Sequence, residues 1–194
     1  HTVNPFVENP SVTKSQESAY ACMTSKINNY DSYFDYRNGN LWVERLVNDT
    51  RCYTNFVTKE SEGKYYVEAE MGQDSLIGIA KIYTKPDSYP GGNAGTYGLF
   101  PSGSFYNQGS ATTYCPTFLL GDTVGILLDL DAGTLAYTIN GVYYGVAASG
   151  ITGQYHFSSR GGRAWDQIIG KQNPDRWNFG QMPFRYSPPE GFGT

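Results

Sequence analysis

Asp129 and Asp131 stand in a short acidic turn, Asp-Leu-Asp-Ala-Gly-Thr, and are the first candidates for a cation site. A calcium loop supplies about six or more oxygen ligands, and an EF-hand loop continues with further acids and a distal glutamate. The residues after Asp131 are Ala, Gly, Thr and Leu, which add no carboxylate. Aspartate followed by glycine is instead typical of a tight hairpin turn. We therefore predict a sheet corner at this position and no metal site.

Glu68 and Glu70 are the candidates for paired-carboxylate chemistry. They lie two residues apart on one face of a predicted strand, which places their Cβ atoms about 7 Å apart. Retaining glycosidases need carboxyl groups about 5 Å apart and inverting ones roughly 6.5 to 9.5 Å, so the spacing alone does not exclude hydrolysis. Outward glutamates on a strand are more often solubilising residues. A carbohydrate-active enzyme stays an alternative, but we predict no catalytic residue.

Nucleophilic catalysis and cofactor binding find little support in the residue types available. The chain has two histidines, His1 and His156, and His156 falls in a predicted strand where its ring is expected to be packed or half-exposed. The three cysteines are far apart and odd in number, so they form no zinc-ligand pair and are expected to be free thiols. The glycine-rich stretches lack the strand-then-helix setting of phosphate-binding loops. We expect a non-enzymatic protein without a cofactor.

Several predicted loops contain aromatic and arginine residues. These residues are better suited to binding than the carboxylates, histidines and cysteines are to catalysis. Tyrosine and tryptophan offer a large contact area with few rotatable bonds, and arginine beside tryptophan is common at interfaces. The same residue types also pack in cores or solvate loops, and that alternative stays open for each of them. The candidate binding residues are Arg160, Arg163, Trp165, Tyr89, Tyr97 and Tyr33.

Strands separated by turns must position these loops. A chain of 194 residues suits one domain. Its 23 Gly, 10 Pro and 17 Tyr favour a turn-rich β protein. Apolar residues alternate over residues 124–139, and Asn140-Gly141 then reverses the chain, which predicts a three-stranded antiparallel meander. Residues 1–35 are polar and predicted to be an extended lead-in for attachment, and residues 36–194 are predicted to form the β domain.

Charge and hydropathy argue against two classes of partner. The formal net charge is −4 and no run of Lys or Arg occurs, whereas binding to duplex nucleic acid needs clustered cations. No apolar stretch approaches the ~20 residues of a membrane helix, so membrane insertion is not expected. The amino end shows no basic region followed by an apolar one, so no signal peptide is expected.

Several segments, in order, resemble the SPRY domain family. GDTVGILLDLDAGTLAYTINGVYYGVA at 121–147 is similar to the family pattern in which a Gly-Asp-x-Ile/Val-Gly strand runs into Leu-Asp-Leu-Asp and then an Asn-Gly turn. The other similar segments are GKYYVEAEM with LIGIAK, GTYGLF with PSGSFYNQG, and NFGQMPFRYSPPEGF at 178–192. Ala148, and the long connection at 158–177, depart from the pattern. The resemblance implies an all-β fold, an antiparallel two-sheet β-sandwich of the concanavalin-like jelly-roll type, whose edge loops bind proteins or peptides.

A shorter set of segments resembles the SPRY-containing proteins of tailed bacteriophages. The segments are HTVNP at 1–5, RNGNL at 37–41, YPGG at 89–92 and PEGF at 189–192. This resemblance implies a structural protein of the virion, on a head or tail fibre or similar appendage, made in the host cytoplasm. Other virion proteins, a host surface protein or a glycan would be its partners, and a homo-oligomer, specifically a trimer, is expected. The alternatives are a cellular SPRY adaptor that captures a peptide of a partner protein, and a lectin or carbohydrate-active enzyme on the same sandwich.

Overall fold

The computed structural model of the chain describes residues 21–24, 34–46, 51–85, 87–163 and 173–192, and it has strands and turns but no helix within these ranges. In the described part of the chain, no helix is long and apolar enough to cross a membrane. The strands are β1 (Met23–Thr24), β2 (Phe34–Arg37), β3 (Trp42–Arg45), β4 (Cys52–Thr54), β5 (Lys64–Glu70), β6 (Ile77–Lys81), β7 (Thr96–Leu99), β8 (Ser104–Asn107), β9 (Ser110–Thr113), β10 (Thr123–Asp129), β11 (Thr134–Ile139), β12 (Val142–Ser149), β13 (Tyr155–Ser159), β14 (Gly162–Arg163) and β15 (Asp175–Asn178).

The strands form two sheets. One sheet has the order β1-β4-β13-β6-β7-β8-β9, and the other has the order β12-β11-β10-β5-β15-β3-β14, with β2 also paired to β3. Among the described pairs, β14 with β3 is the one parallel pair. The predicted fold class, an all-β antiparallel two-sheet sandwich, is confirmed.

The core lies between the two sheets and follows from alternation along the strands. In β10 the side chains of Val124, Ile126 and Leu128 are fully buried, because successive side chains of a strand point to opposite faces and these three share the inner one. Ile79 of β6 and Phe157 of β13 belong to the same cluster from the other sheet. Each such side chain stabilises the fold by about 1.5 to 3 kcal/mol. The predicted meander of β10, β11 and β12 is confirmed by their antiparallel pairing.

The C-terminal segment, residues 179–192, covers part of the outer face of the eight-stranded sheet. Phe184 and Phe192 pack there against a small apolar cluster that contains Tyr66, and the rings of Tyr66 and Phe184 meet edge to face with centroids 4.9 Å apart. Glu68 lies on this same face and is only 3% exposed. The expectation that Glu68 is a solvated surface residue was therefore wrong, because the returning segment covers its strand.

The acidic turn at 129–134 is a corner of the sheet. Asp129 Oδ1 accepts a hydrogen bond from the backbone N–H of Ala132 at 2.8 Å, and Asp131 Oδ1 accepts one from Gly63 N–H at 2.8 Å. Gly133 has a φ of 65°, a backbone conformation that glycine adopts without the Cβ clash. Within the described residues, no group of three or more His, Cys, Asp or Glu side chains is placed to hold a metal ion. Asp129 therefore caps the backbone of the turn, and Asp131 ties the turn to the start of the neighbouring chain segment at Gly63.

Two strands overlap the predicted lead-in, residues 1–35. Strand β1 lies inside it and pairs with β4, and β2 crosses its predicted end. The rest of that segment lies outside the described residues, so its role in attachment stays a prediction. The three cysteines, Cys22, Cys52 and Cys115, are buried.

Candidate functional site

Two of the predicted binding residues, Tyr89 and Arg160, line one surface pocket of about 180 Å³ together with Leu76, Phe100 and Tyr106. Strand β6 pairs antiparallel with both β7 and β13. The start of β6 therefore lies beside the ends of β7 and β13, at one end of these three strands. Leu76 directly precedes β6, Phe100 follows β7 and Arg160 follows β13. We call this the Tyr89 pocket.

Three aromatic rings form the wall of the Tyr89 pocket. The rings of Tyr89 and Tyr106 meet at 87° with centroids 5.7 Å apart, and those of Phe100 and Tyr106 meet at 62° with centroids 6.1 Å apart. Such edge-to-face contacts favour a fixed ring orientation. The pocket therefore offers an apolar wall, with the Arg160 side chain adding a cation to the lining.

A buried arginine, Arg51, fixes the loop that carries Tyr89. Arg51 is 1% exposed, and its Nη1 donates to the carbonyl oxygens of Ser88 at 2.8 Å and Tyr89 at 3.4 Å. Its Nη2 donates to the carbonyl of Lys85, and its Nε donates to the Tyr53 hydroxyl at 3.0 Å. Buried carbonyl groups need such partners. The guanidinium group therefore holds Lys85, Ser88 and Tyr89 of this loop on the sheet, and nothing in the sequence pattern indicated this role.

Gly98 of β7 allows the same loop to approach the strand closely. A Cβ atom on Gly98 would lie 2.3 Å from the carbonyl oxygen of Pro90 and 2.4 Å from Cδ2 of Leu76. Both distances are far shorter than a carbon contact allows. Only glycine at this position lets Pro90 and Leu76 pack beside the Tyr89 pocket.

A buried carboxylate, Asp175, holds the backbone behind the pocket. It is wholly buried and accepts hydrogen bonds from Gly72 N–H at 2.8 Å, from the Ser75 hydroxyl at 2.6 Å and from the Ser159 hydroxyl. Ser75 directly precedes Leu76 and Ser159 directly precedes Arg160, and both of these residues line the pocket. Burial raises the pKa of Asp175 to about 6, although these hydrogen bonds and the nearby Arg45 act to lower it.

The structure separates two further predicted binding residues, Tyr97 and Arg163, from this pocket. The ring of Tyr97 stacks on Phe105 with centroids 6.3 Å apart, and burial raises the pKa of its hydroxyl, so its contacts are those of a packing residue. Arg163 is exposed and lies in β14, and it does not line the pocket. Tyr33 and Trp165 lie outside the described residues.

Sequence reasoning missed three of the five lining residues. Phe100 and Tyr106 belong to GTYGLF and PSGSFYNQG, which carried the family resemblance without any sign of a shared surface. Their strands β7 and β8 pair antiparallel. Leu76 stands at the start of a strand that the sequence indicated to be buried. The signal available was the aromatic content of the segments, and strand order was needed to bring the side chains together.

The candidate catalytic groups are engaged in structural hydrogen bonds. Glu68 accepts from the Tyr66 hydroxyl at 2.9 Å and from the backbone N–H groups of Arg185 at 2.8 Å and Tyr186 at 2.9 Å. Burial, together with the neighbouring Glu68 carboxylate, raises the pKa of the Tyr66 hydroxyl. Glu68 therefore fastens the C-terminal segment to the sheet.

Comparison with solved structures shows what fold this arrangement shares. The human SPRY domain matches with a TM-score of 0.58 and 13% sequence identity, covering 78% of this chain and 98% of that structure. The TRIM65 PSpry domain matches with a TM-score of 0.57 and 12% identity, covering 72% and 83%. At this level of identity the likeness establishes the fold alone, a two-sheet β-sandwich.

Relatives are more similar in sequence but far longer than this chain. The Ran-binding proteins 9/10 homolog of Drosophila melanogaster is 29% identical over 143 residues, which cover 69% of this chain and 14% of that protein. Human Ran-binding protein 9 is 30% identical over 132 residues, covering 63% and 17%. The dual specificity protein kinase splA of Dictyostelium discoideum is 28% identical over 131 residues, covering 59% and 5%.

A family model also matches this chain. The model described as "SPRY domain" matches residues 62–159, which is 98 of the 194 residues. The matched region runs from just before β5 through β13 and so contains four of the five residues that line the Tyr89 pocket. From this match, the shared strand arrangement and the shared segments, we conclude that the chain belongs to the SPRY domain family.

Proposed function

We propose that this protein is a recognition module that binds a short segment of a partner protein in the Tyr89 pocket. SPRY domains are protein-interaction modules, so the general class of function follows from the family. The observation that supports this site is the convergence of Tyr89 and Arg160, from two loops far apart in the sequence, on one pocket. Aromatic and arginine side chains dominate the energetics of protein interfaces.

The chemistry of the pocket limits the kind of segment that fits. A volume of about 180 Å³ accepts one or two side chains. The aromatic wall of Tyr89, Phe100 and Tyr106 favours an apolar or proline side chain as the anchor. Arg160 favours a carboxylate or a backbone carbonyl next to that anchor. The proposed ligand is therefore a short extended peptide with an apolar anchor and an acidic neighbour.

Selection from a random peptide display library tests this proposal. Peptides that bind the wild-type chain would be remeasured by fluorescence polarisation against Tyr89→Ala, Arg160→Ala and the matched control Tyr143→Ala. Tyr143 is also a surface tyrosine, 53% exposed, but it lies on β12 of the other sheet. We expect each pocket variant to weaken binding by about tenfold or more, as for interface anchors, and the control to leave it unchanged.

Two results would contradict the proposal. Selected peptides that bind all four proteins equally would place the binding surface elsewhere. Binding on a glycan array without any peptide binding would favour the lectin alternative instead.

A cellular adaptor is the setting that the relatives favour, since the similar proteins named above come from a fruit fly, a human and a social amoeba. The phage appendage remains a second candidate, supported by the short segments at 37–41, 89–92 and 189–192. Under that proposal the chain resides in a virion as a homo-oligomer, specifically a trimer, and its loops contact a host surface protein or glycan. Electron microscopy and adsorption assays of particles lacking the chain test it, and unchanged particles with unchanged adsorption would refute it.

A further inference from the structure

A second and larger depression lies on the outer face of the seven-stranded sheet. It has a volume of about 610 Å³, and its nine lining residues include no residue of the Tyr89 pocket. Tyr53 of β4 and His156 of β13 form its floor. Successive side chains of a strand point to opposite faces, and the strand neighbours of these two residues point into the core, so their own side chains point away from it. The turn after β6 forms one wall. We call it the His156 depression.

The hydrogen bonds of His156 determine which of its nitrogen atoms can meet a ligand. Nδ1 lies 2.8 Å from the carbonyl oxygen of Thr54, and since a carbonyl only accepts, Nδ1 carries the hydrogen. Nε2 of the neutral ring then has a lone pair. Burial lowers the pKa of His156, which favours the neutral ring. An acidic group at Nε2 would favour the protonated ring, which donates from both nitrogens.

The charged side chains that line the depression are cationic. Its lining contains two lysines, Lys81 and Lys85, and none of the described residues that line it is an aspartate or glutamate. The chain as a whole carries a formal net charge of −4, so this surface differs in sign from the average of the molecule. The titratable side chains around His156 are Tyr53, Lys81, Tyr83 and Lys85, with Glu60 approaching Lys81 beside Gly153 from outside the lining.

Tyr83 stands at the rim in a conformation that sequence alone does not favour. Its side chain is 95% exposed and its φ is 66°, a backbone region that costs a bulky residue of order 1 to 3 kcal/mol. The turn that holds it there is closed by hydrogen bonds from Thr84 N–H and from the Thr84 hydroxyl to the carbonyl of Lys81. An aromatic ring is thus held out in solvent beside a cationic depression.

We infer that the His156 depression binds an acidic segment of a partner polypeptide. A carboxylate of the segment is held between Lys81, Lys85 and Nε2 of His156, and the neighbouring part of the segment packs against the ring of Tyr83. Cationic side chains and an exposed aromatic ring are the two features that such a segment requires. The site shares no lining residue with the Tyr89 pocket, so a Tyr89→Ala variant keeps it.

Fluorescence polarisation of a fluorescein-labelled hexaglutamate peptide on the full chain tests the inference, with hexaglutamine as the uncharged comparison. The double variant Lys81→Gln/Lys85→Gln should bind hexaglutamate about tenfold more weakly. The control Lys59→Gln/Lys64→Gln removes the same charge elsewhere and should change affinity less than about twofold, as screened surface charges do. Lys59 and Lys64 pair with Glu62 and Asp129 and do not line the depression.

Two further variants separate binding from folding. Tyr83→Gly suits the positive φ at this position, so it should leave the urea midpoint unchanged or raised while binding weakens about fivefold. Wild-type binding should tighten severalfold from pH 8 to pH 6 as the bound ligand favours protonated His156. His156→Asn, whose amide can still donate to Thr54, should remove that pH dependence.

Each opposite outcome overturns the inference. Equal binding of hexaglutamate and hexaglutamine, or equal loss in the two double-lysine variants, would show that no acidic site is built here. Displacement of the probe by free glutamate at the same carboxylate concentration would identify a small-molecule site instead of a peptide site. Loss of hexaglutamate binding in Tyr89→Ala would place it in the other pocket.

Discussion

Replacing Asp175 by asparagine tests whether burial raises the pKa of the carboxyl group behind the Tyr89 pocket. Asparagine keeps the shape of the side chain. Its carbonyl oxygen can accept from Gly72 N–H, and its amide can donate to the hydroxyl oxygens of Ser75 and Ser159, the groups that now surround the carboxyl. The substitution removes the titration and leaves the packing in place.

The size of the effect follows from the pKa of Asp175, about 6 in the folded protein against 3.8 for the free side chain. The folded state therefore binds the proton more tightly than the unfolded state. Asp175 stabilises the fold most below pH 3.8, and this contribution falls as pH rises to 6 and is constant above it. Each pKa unit corresponds to 1.36 kcal/mol, so the free energy of unfolding changes by about 3 kcal/mol across this window.

Urea unfolding followed by tryptophan fluorescence, at several values from pH 3 to pH 7, measures this change. The quantity of interest is the unfolding free energy of the wild type minus that of Asp175→Asn, since the other carboxylates cancel in the difference. We expect this difference to fall by about 3 kcal/mol from pH 3 to pH 7. Asp87→Asn removes an exposed loop carboxylate and serves as the control for the loss of a carboxylate that is not buried.

Two results would refute the reasoning. A difference that does not depend on pH would mean that the carboxyl group titrates alike in the folded and unfolded states. A difference that rises with pH would mean that Arg45 and the hydrogen-bond donors outweigh burial and keep the group ionised.

Three further substitutions test other parts of the structure. Arg51→Ala should lower the free energy of unfolding by about 3 kcal/mol and weaken peptide binding at Tyr89, because three loop carbonyls lose their donor; urea unfolding and polarisation measure the two effects, and unchanged peptide affinity would contradict the positioning role. Gly98→Ala should cost about 2 kcal/mol or more by overpacking, seen as a lower urea midpoint, and full stability would show that the loop moves freely. Glu68→Gln should cost about 2 kcal/mol and expose the C-terminal segment to proteolysis, whereas unchanged cleavage would mean that aromatic packing alone holds it.

The sequence by itself indicated the two β-sheets of this protein. Alternation along residues 124–139 and the turns at 129–134 and 140–141 fixed three strands and their antiparallel order, and the family segments extended that pattern to two sheets. This information is local, because the period of two arises from the geometry of each strand and a hairpin turn acts over a few residues. The hairpin turn predicted at residues 129–134 is confirmed for the same reason.

Tertiary structure decided which side chains share a surface. Tyr89 and Arg160 meet because β6 lies between β7 and β13, and Arg51 fixes the Tyr89 loop from a third place in the chain. Glu68 is buried because residues 179–192 return over its strand. Tyr97 and Tyr89 are the same residue type, yet the ring of Tyr97 packs on Phe105. Strand order and the covering of each face depend on the summed packing of the whole chain, which no local pattern of residues encodes.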